Sequence, residues 1–318
     1  MDAITVFDAS VTVLDEAASN PARVYLASLA PVGRRGMAAA LVRVARSCGV
    51  SDVDAMPWAM LRYEHVQAIR ARLVESGAAP STVNHALAAV RGTMRSAWRL
   101  GMIDAETYAK LKDVPSVRGS TLPAGRGVTP GELAAMMRAC DDETDAGARD
   151  AAIIAVGYAA GLRRAELASL TLAALVSDDG ELITLRVTGK GTKERACYLD
   201  NGGAAALRGW LAVRGRDDGP LFYAGRRGGH LVHGHGMTPQ AIRDVVARRA
   251  AQAGAARTSP HDLRRSFVSD LLDGGTDIST VAALAGHASV NTTQRYDRRG
   301  DVAKKRAARS LHVPYAGK

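Results

Sequence analysis

The segment ELITLRVTGKGTKERACYLD, residues 181–200, decides the fold class. Its arms, ELITLRV and ERACYLD, alternate apolar with polar side chains, the period of a strand buried on one face. TGKGTK between them supplies the turn, so the segment predicts an antiparallel β-hairpin. Both flanks read as helix. Before the hairpin, residues 147–160 form an apolar helical run closed by Gly161. After it, TPQAIRDVVARRAAQAG places Thr238 at an N-cap and Pro239 at the first helical position. SPHDLRRSFVSDLLDGG repeats the device: Ser259 caps, Pro260 follows, Asp262 suits the positive helix start, and Gly274 ends the run. The expected class is mainly α with a small antiparallel β-sheet.

Residues 22–112 read as helices with a basic exterior. The clearest is STVNHALAAVRGTMRSAWRL, where Val83, Leu87, Val90, Met94 and Trp98 recur at three- and four-residue steps as one apolar stripe. Ser81 is its expected N-cap, and Gly101 follows the last turn. Arg91, Arg95 and Arg99 form a ridge beside the stripe, which suits either a solvated helix face or contact with phosphates. PSVRGSTLPAGRGVTP, residues 115–130, has no periodicity and reads as a connector. It divides the chain into a helical module, 1–114, and a second module, 131–318, whose tail begins near residue 300.

The chain has 318 residues, 47% of them apolar, and a net charge of +10. That charge points to a polyanionic partner, with nucleic acid foremost. Cys48, Cys140 and Cys197 have neither zinc spacing nor a disulfide framework, which fits a reducing cytoplasm. No apolar run reaches the roughly 18 residues of a membrane span, and MDAITVFDAS does not read as a signal peptide. A cytoplasmic protein without membrane contact is expected.

Five features of the second module carry candidate chemistry. In GLRRAEL, Arg163 stands three residues before Glu166, either as an ordinary surface ion pair or as a fork held rigid to grip a phosphate. Lys190, at the hairpin tip with Lys193 nearby, is a solvated lysine or a mobile proton donor. His261 and Arg264 share one face of a helix start, where free N–H groups add positive potential. His287 follows Gly286 at a helix end, a position often occupied by a cap favoured by the helix dipole. Tyr296 lies nine residues further on, in a segment that Ser289 caps as a short helix. His230, His233 and His235 have no carboxylate or cysteine beside them, so they read as a surface loop and no metal site is assigned.

In this order and spacing, GLRRAEL, GKGTKER, HDLRRSF, AGH and the following tyrosine resemble the tyrosine recombinase, or phage integrase, family across nearly the whole chain. Ala285 stands where the family usually has leucine before Gly-His, a packing change only. The resemblance implies a core-binding domain over 1–114 and a catalytic domain over 131–318. It implies a catalytic set of Arg163, Lys190, His261, Arg264, His287 and Tyr296, with Tyr296 as the nucleophile. Site-specific recombination through a 3′-phosphotyrosyl intermediate and a Holliday junction would follow, without a cofactor. Its partners would be a double-stranded DNA site and further copies of the chain, a dimer per site and a tetramer on two sites. Gln240 and Arg243, on the basic helix over 239–253, are the expected groove readers. Arg91, Arg95, Arg99 and Lys193 are further DNA-contact candidates. The alternatives are a type IB topoisomerase activity or a DNA-binding regulator without catalysis; the complete polar set argues against the regulator.

Overall fold

The computed structural model describes residues 20–119, 126–189, 193–226, 230–294 and 296. The chain divides into two compact units, 1–123 and 124–318.

The first unit is helical: α1 (Pro21–Ala27), α2 (Pro31–Ser47), α3 (Tyr63–Glu75), α4 (Pro80–Arg99) and α5 (Ala105–Lys112). Its core is built on α4, whose Val83, Leu87, Val90 and Met94 are fully enclosed among Leu41, Trp58 and Ile69. Trp98 does not complete that stripe. It is exposed and stacks on Tyr108 with ring centroids 5.4 Å apart, while its neighbour Ala97 takes the buried position in this last turn. Ser81 is not the N-cap either. The helix opens at Pro80 after Ala79, since proline at the first position brings a suitable φ and no orphan N–H. The described ends of the 115–130 segment are anchored rather than loose. Arg70 donates to Pro115 O, and Asn84 bonds both backbone groups of Val117. At the other end, Val128 N donates to Ser266 Oγ at 2.6 Å within the second unit.

The second unit contains α6 (Pro130–Arg138), α7 (Asp145–Ala159), α8 (Arg164–Ser169), β1 (Leu175–Asp178), β2 (Ile183–Thr188) and β3 (Glu194–Leu199). It continues with α9 (Asn201–Arg214), β4 (Tyr223–Gly225), β5 (Leu231–Gly236), α10 (Pro239–Gln252), α11 (Pro260–Asp273), α12 (Ile278–Ala285) and α13 (Val290–Gln294). Mainly α with small antiparallel sheets is the observed class. The hairpin forms as β2–β3, with Ile183 opposite Leu199, Leu185 opposite Cys197 and Val187 opposite Arg195. The pattern had not shown β1, which joins the hairpin as a third strand, the short pair β4–β5, or the helix α9. His233 and His235 belong to β5 and not to a loop, and His233 packs on Tyr223 at 5.1 Å. Among the described residues no helix is long and apolar enough to cross a membrane.

Thr238 caps α10 through Ala241 N, as its sequence pattern requires. A buried polar knot fixes that helix on α7. Asp150, with no exposed surface, accepts from Arg149, Arg248 and Arg249. Asp150, with Asp142 and Ala139 O, which also accept from Arg249, thus holds α10 in place while its outer face, with Gln240 and Arg243, stays in solvent.

Candidate active site

The C-terminus of α12 organises the site. The last carbonyls of a helix have no partner within it and carry negative partial charge. Here three successive ones are taken by three arginines from three different elements. Leu284 O accepts from Arg195 of β3 at 3.1 Å. Ala285 O accepts from Arg264 of α11 at 2.6 Å, and Gly286 O from Arg163 at the N-cap of α8 at 3.0 Å. Gly286 is left-handed, with φ of 63°, and a Cβ there would lie 2.8 Å from an Arg195 nitrogen. Both facts require glycine at this position.

Arg264 is the most enclosed of the three, and its other arm donates to Gly161 O, at the end of α7. A Cβ on Gly161 would press into the Phe267 ring at 2.3 Å, so two glycine turns frame this one guanidinium. Burial, followed by the neighbouring charge of Arg163, lowers Arg264 to about 10, which leaves it charged at neutral pH.

Glu166 is the buried counter-ion. It accepts from both terminal nitrogens of Arg195, from Arg163 Nη1 at 2.7 Å and from the Arg163 backbone N–H. Burial opposes its ionisation, but the hydrogen bonds from Arg195 and Arg163 outweigh that and hold the carboxyl at about 2. The Arg163–Glu166 pair is therefore more than a surface ion pair. Three guanidinium groups face this single carboxylate, and the excess positive charge suits an anion.

His261 is solvent-exposed in the first turn of α11. Desolvation by the protein behind it, and then Arg265, Arg264 and Arg163, lower its imidazole. His287 leaves the α12 turn with its N–H on Ala282 O, and its Nδ1 lies 2.7 Å from the buried Thr293 Oγ1. A helix C-terminus ordinarily raises a histidine pKa. The opposite happens here: burial, followed by Arg264, Arg163 and Arg195, pulls His287 down to about 4. His287 is thus a neutral ring at neutral pH and not a charged cap.

A test of stability against pH follows. The unfolded chain protonates this ring near about 6.5, while the folded site refuses the proton until about 4. In that window the unfolded state binds more protons, so His287's contribution is intact above about 6.5 and is lost as the pH falls towards 4. The thermal midpoint is expected to decline across this range. The decline should be shallower in His287→Gln, measured in parallel by calorimetry.

Ser289 begins α13 by accepting from Asn291 N, and Tyr296 follows with its N–H on Thr293 O. The Tyr296 ring is half-buried against the small cluster of Phe267, Val268 and Val281. It lies near-parallel to His287, with centroids 6.1 Å apart, and Arg265 Cζ is 5.6 Å from its centre. Arg163, His261, Arg264, His287 and Tyr296 are therefore gathered around the ends of α7, α11 and α12. Lys190 lies outside the described residues.

Three contributors were missed from the sequence: Arg195, Arg265 and Thr293. Arg195 did leave a signal, because the alternation of β3 places it on the same inward face as buried Cys197 and Leu199. An inward arginine demands a buried carboxylate.

The DNA-contact candidates fare unevenly. Arg91 is half-buried and donates to Val114 O at 2.6 Å, so it is spent on the backbone, because the chain leaving α5 passes over it. Arg95 bonds Tyr108 at 3.3 Å yet stays exposed, and Arg99 and Lys193 are exposed. Gln240 and Arg243 are exposed on α10, each beside Asp244.

Comparison with known proteins follows the same lines. Residues 126–301 match the profile of the phage integrase family. Tyrosine recombinase XerC of Chromohalobacter salexigens is 32% identical over 263 residues, covering 81% of this chain and 82% of its own length. XerC of Corynebacterium efficiens is 35% identical over 229 residues, covering 71% and 69%. Among solved structures, XerH site-specific recombinase bound to palindromic difH substrate in a post-cleavage complex superposes with a TM-score of 0.63. It is 22% identical, covering 88% of this chain and 79% of that one. A lambda integrase dimer bound to a COC′ core site also gives 0.63, at 13% identity, covering 93% and 83%. At those identities the two structures speak for the fold.

Proposed function

The chain belongs to the phage integrase family of tyrosine recombinases, and from that premise we propose that it cuts and rejoins double-stranded DNA at a specific site through Tyr296. The observation that carries the reading is the bracket of three arginines on the α12 terminus, with a tyrosine beside it. Phosphodiester cleavage places developing negative charge on the two non-bridging oxygens, and guanidinium forks held in advance stabilise it without reorganising.

In the proposed step the Tyr296 oxygen bonds to phosphorus as the bond from phosphorus to the 5′ oxygen breaks. The phenolic proton passes to a base, and the departing 5′ oxygen takes up a proton. Arg163 and Arg264 hold the charged oxygens. His287, neutral and pinned through Nδ1, presents its other nitrogen for hydrogen bonding or proton transfer, and His261 does the same from the mouth of the site. Lys190 is assigned by resemblance as the acid for the 5′ oxygen. The phosphotyrosyl ester retains the bond energy, so a free 5′ hydroxyl of a partner strand can reverse the step and rejoin.

We assign DNA grip in the second unit to Gln240 and Arg243 on the outer face of α10, with Lys193, and in the first unit to Arg95 and Arg99. Exchange in pairs of strands requires two sites and a tetramer, to which each copy brings one Tyr296. The segment beyond about residue 300 is assigned to contacts between copies.

The test uses duplexes that this protein selects from a randomised pool, each then nicked at successive positions so that a short 5′-hydroxyl strand can diffuse away. A covalent adduct linked through residue 296 to a 3′ phosphate is expected. Two-site plasmids should give recombined product, not merely relaxed circles. Absence of any adduct would overturn the reading, and relaxation without recombination would replace it by the topoisomerase alternative.

A further inference from the structure

Arg195 ends the GKGTKER motif but stands outside the catalytic set assigned above, yet it makes more bonds within the site than Tyr296 or either histidine. It stands opposite Val187 on the inward face of β3, with its side chain only 12% exposed. Its Nε donates to Leu284 O, and its two terminal nitrogens grip the two oxygens of Glu166 at 3.2 and 2.8 Å. The fork thus ties together β3, the N-terminus of α8 and the C-terminus of α12.

Each tie leads to a residue of the proposed chemistry. The same Glu166 carboxylate bonds both the guanidinium and the backbone N–H of Arg163. The α12 end continues through Gly286 into His287, and Gly286 O is itself bonded by Arg163. Arg163 has a side chain 41% exposed, and its guanidinium is held by Glu166 and Gly286 O, so its aim depends on a carboxylate and a turn that Arg195 fixes. Lysine cannot substitute: an ammonium has no planar fork, so it cannot serve two carboxylate oxygens and a separate carbonyl in one plane.

Resting on the cleavage reading above, we propose that Arg195 is a positioning residue, one that sets the geometry of Arg163 and His287 without touching DNA. Misplacement of a reacting group by about 1 Å is enough to slow chemistry by about 10²-fold.

The test is single-turnover cleavage of the selected, nicked duplex at saturating protein, with unaltered protein and Arg195→Lys. The variant is expected to bind that duplex within about twofold of the unaltered protein, while its cleavage rate constant falls by about 10²-fold. A merely structural arginine would lower the fraction of competent protein, and so the amplitude, leaving the rate constant alone. That result, or an unchanged rate constant, overturns the proposal.

Should Arg195→Lys fail to fold, Arg195→Gln takes its place, which removes the fork yet leaves Glu166 paired with Arg163. It is expected to show the same fall in rate constant, and a normal rate constant would again overturn the proposal. If the unaltered protein forms no adduct, the cleavage reading has failed and this inference falls with it. If it forms the adduct and both variants cleave at its rate, only the role of Arg195 has failed.

Discussion

Tyr296→Phe is expected to abolish the covalent adduct on a selected, nicked duplex while leaving binding to that duplex unchanged. The substitution removes one oxygen and keeps the ring that packs on Phe267, Val268 and Val281 and lies near-parallel to His287. Its backbone N–H donates to Thr293 O, a bond that phenylalanine preserves. Folding stability should therefore change little, and the loss can be assigned to chemistry. Removing the nucleophile of a hydrolase costs on the order of 10⁶-fold in turnover, and a loss above about 10⁴-fold is the expectation here. Denaturing gel electrophoresis of labelled duplex reads the adduct, and a filter or gel-shift titration reads binding. A persistent adduct in the variant would pass the role to another nucleophile and remove Tyr296 from the mechanism.

What the sequence made legible was whatever has a period or a position. The alternation of residues 181–200 predicted the hairpin, and Thr238 and Ser289 marked helix starts. Gly161 and Gly286 were visible as helix ends, though not their second task of making room for Phe267 and Arg195. The candidates Arg163, His261, Arg264, His287 and Tyr296 were visible because motifs keep their spacing. What holds them was not. Arg195 is 29 residues from Glu166 and 89 from Leu284; its inward place on β3 asked for a buried partner, but nothing local says which. The same limit explains the misplacement of Arg91, whose four-residue spacing suggested a ridge with Arg95 and Arg99. Its fate was decided by Val114, 23 residues away. Short strands such as β1 and β4 are equally hidden, since four and three residues give no reliable period.

The second large effect belongs to Arg264. Its guanidinium is almost wholly buried and spans two helix ends, donating to Gly161 O and Ala285 O. In that setting Arg264→Lys keeps a positive charge but can reach only one carbonyl well, and the other is left buried without its partner. The remaining charge would lean towards whichever carbonyl it keeps, turning away from the phosphate. Loss of one donor aimed at a developing oxyanion costs about 10²–10³-fold, and that is the expected fall in the cleavage rate constant for Arg264→Lys. Arg163→Lys should cost less, because its side chain is 41% exposed and a lysine there can still reach Glu166. Single-turnover cleavage of the same nicked duplex ranks the two, with a urea titration beside it to register the stability lost at Gly161 and Ala285. An Arg264→Lys rate equal to that of the unaltered protein would mean that this arginine only closes the two helix ends. The charge on the phosphate would then have to be met by Arg163 and its neighbours alone.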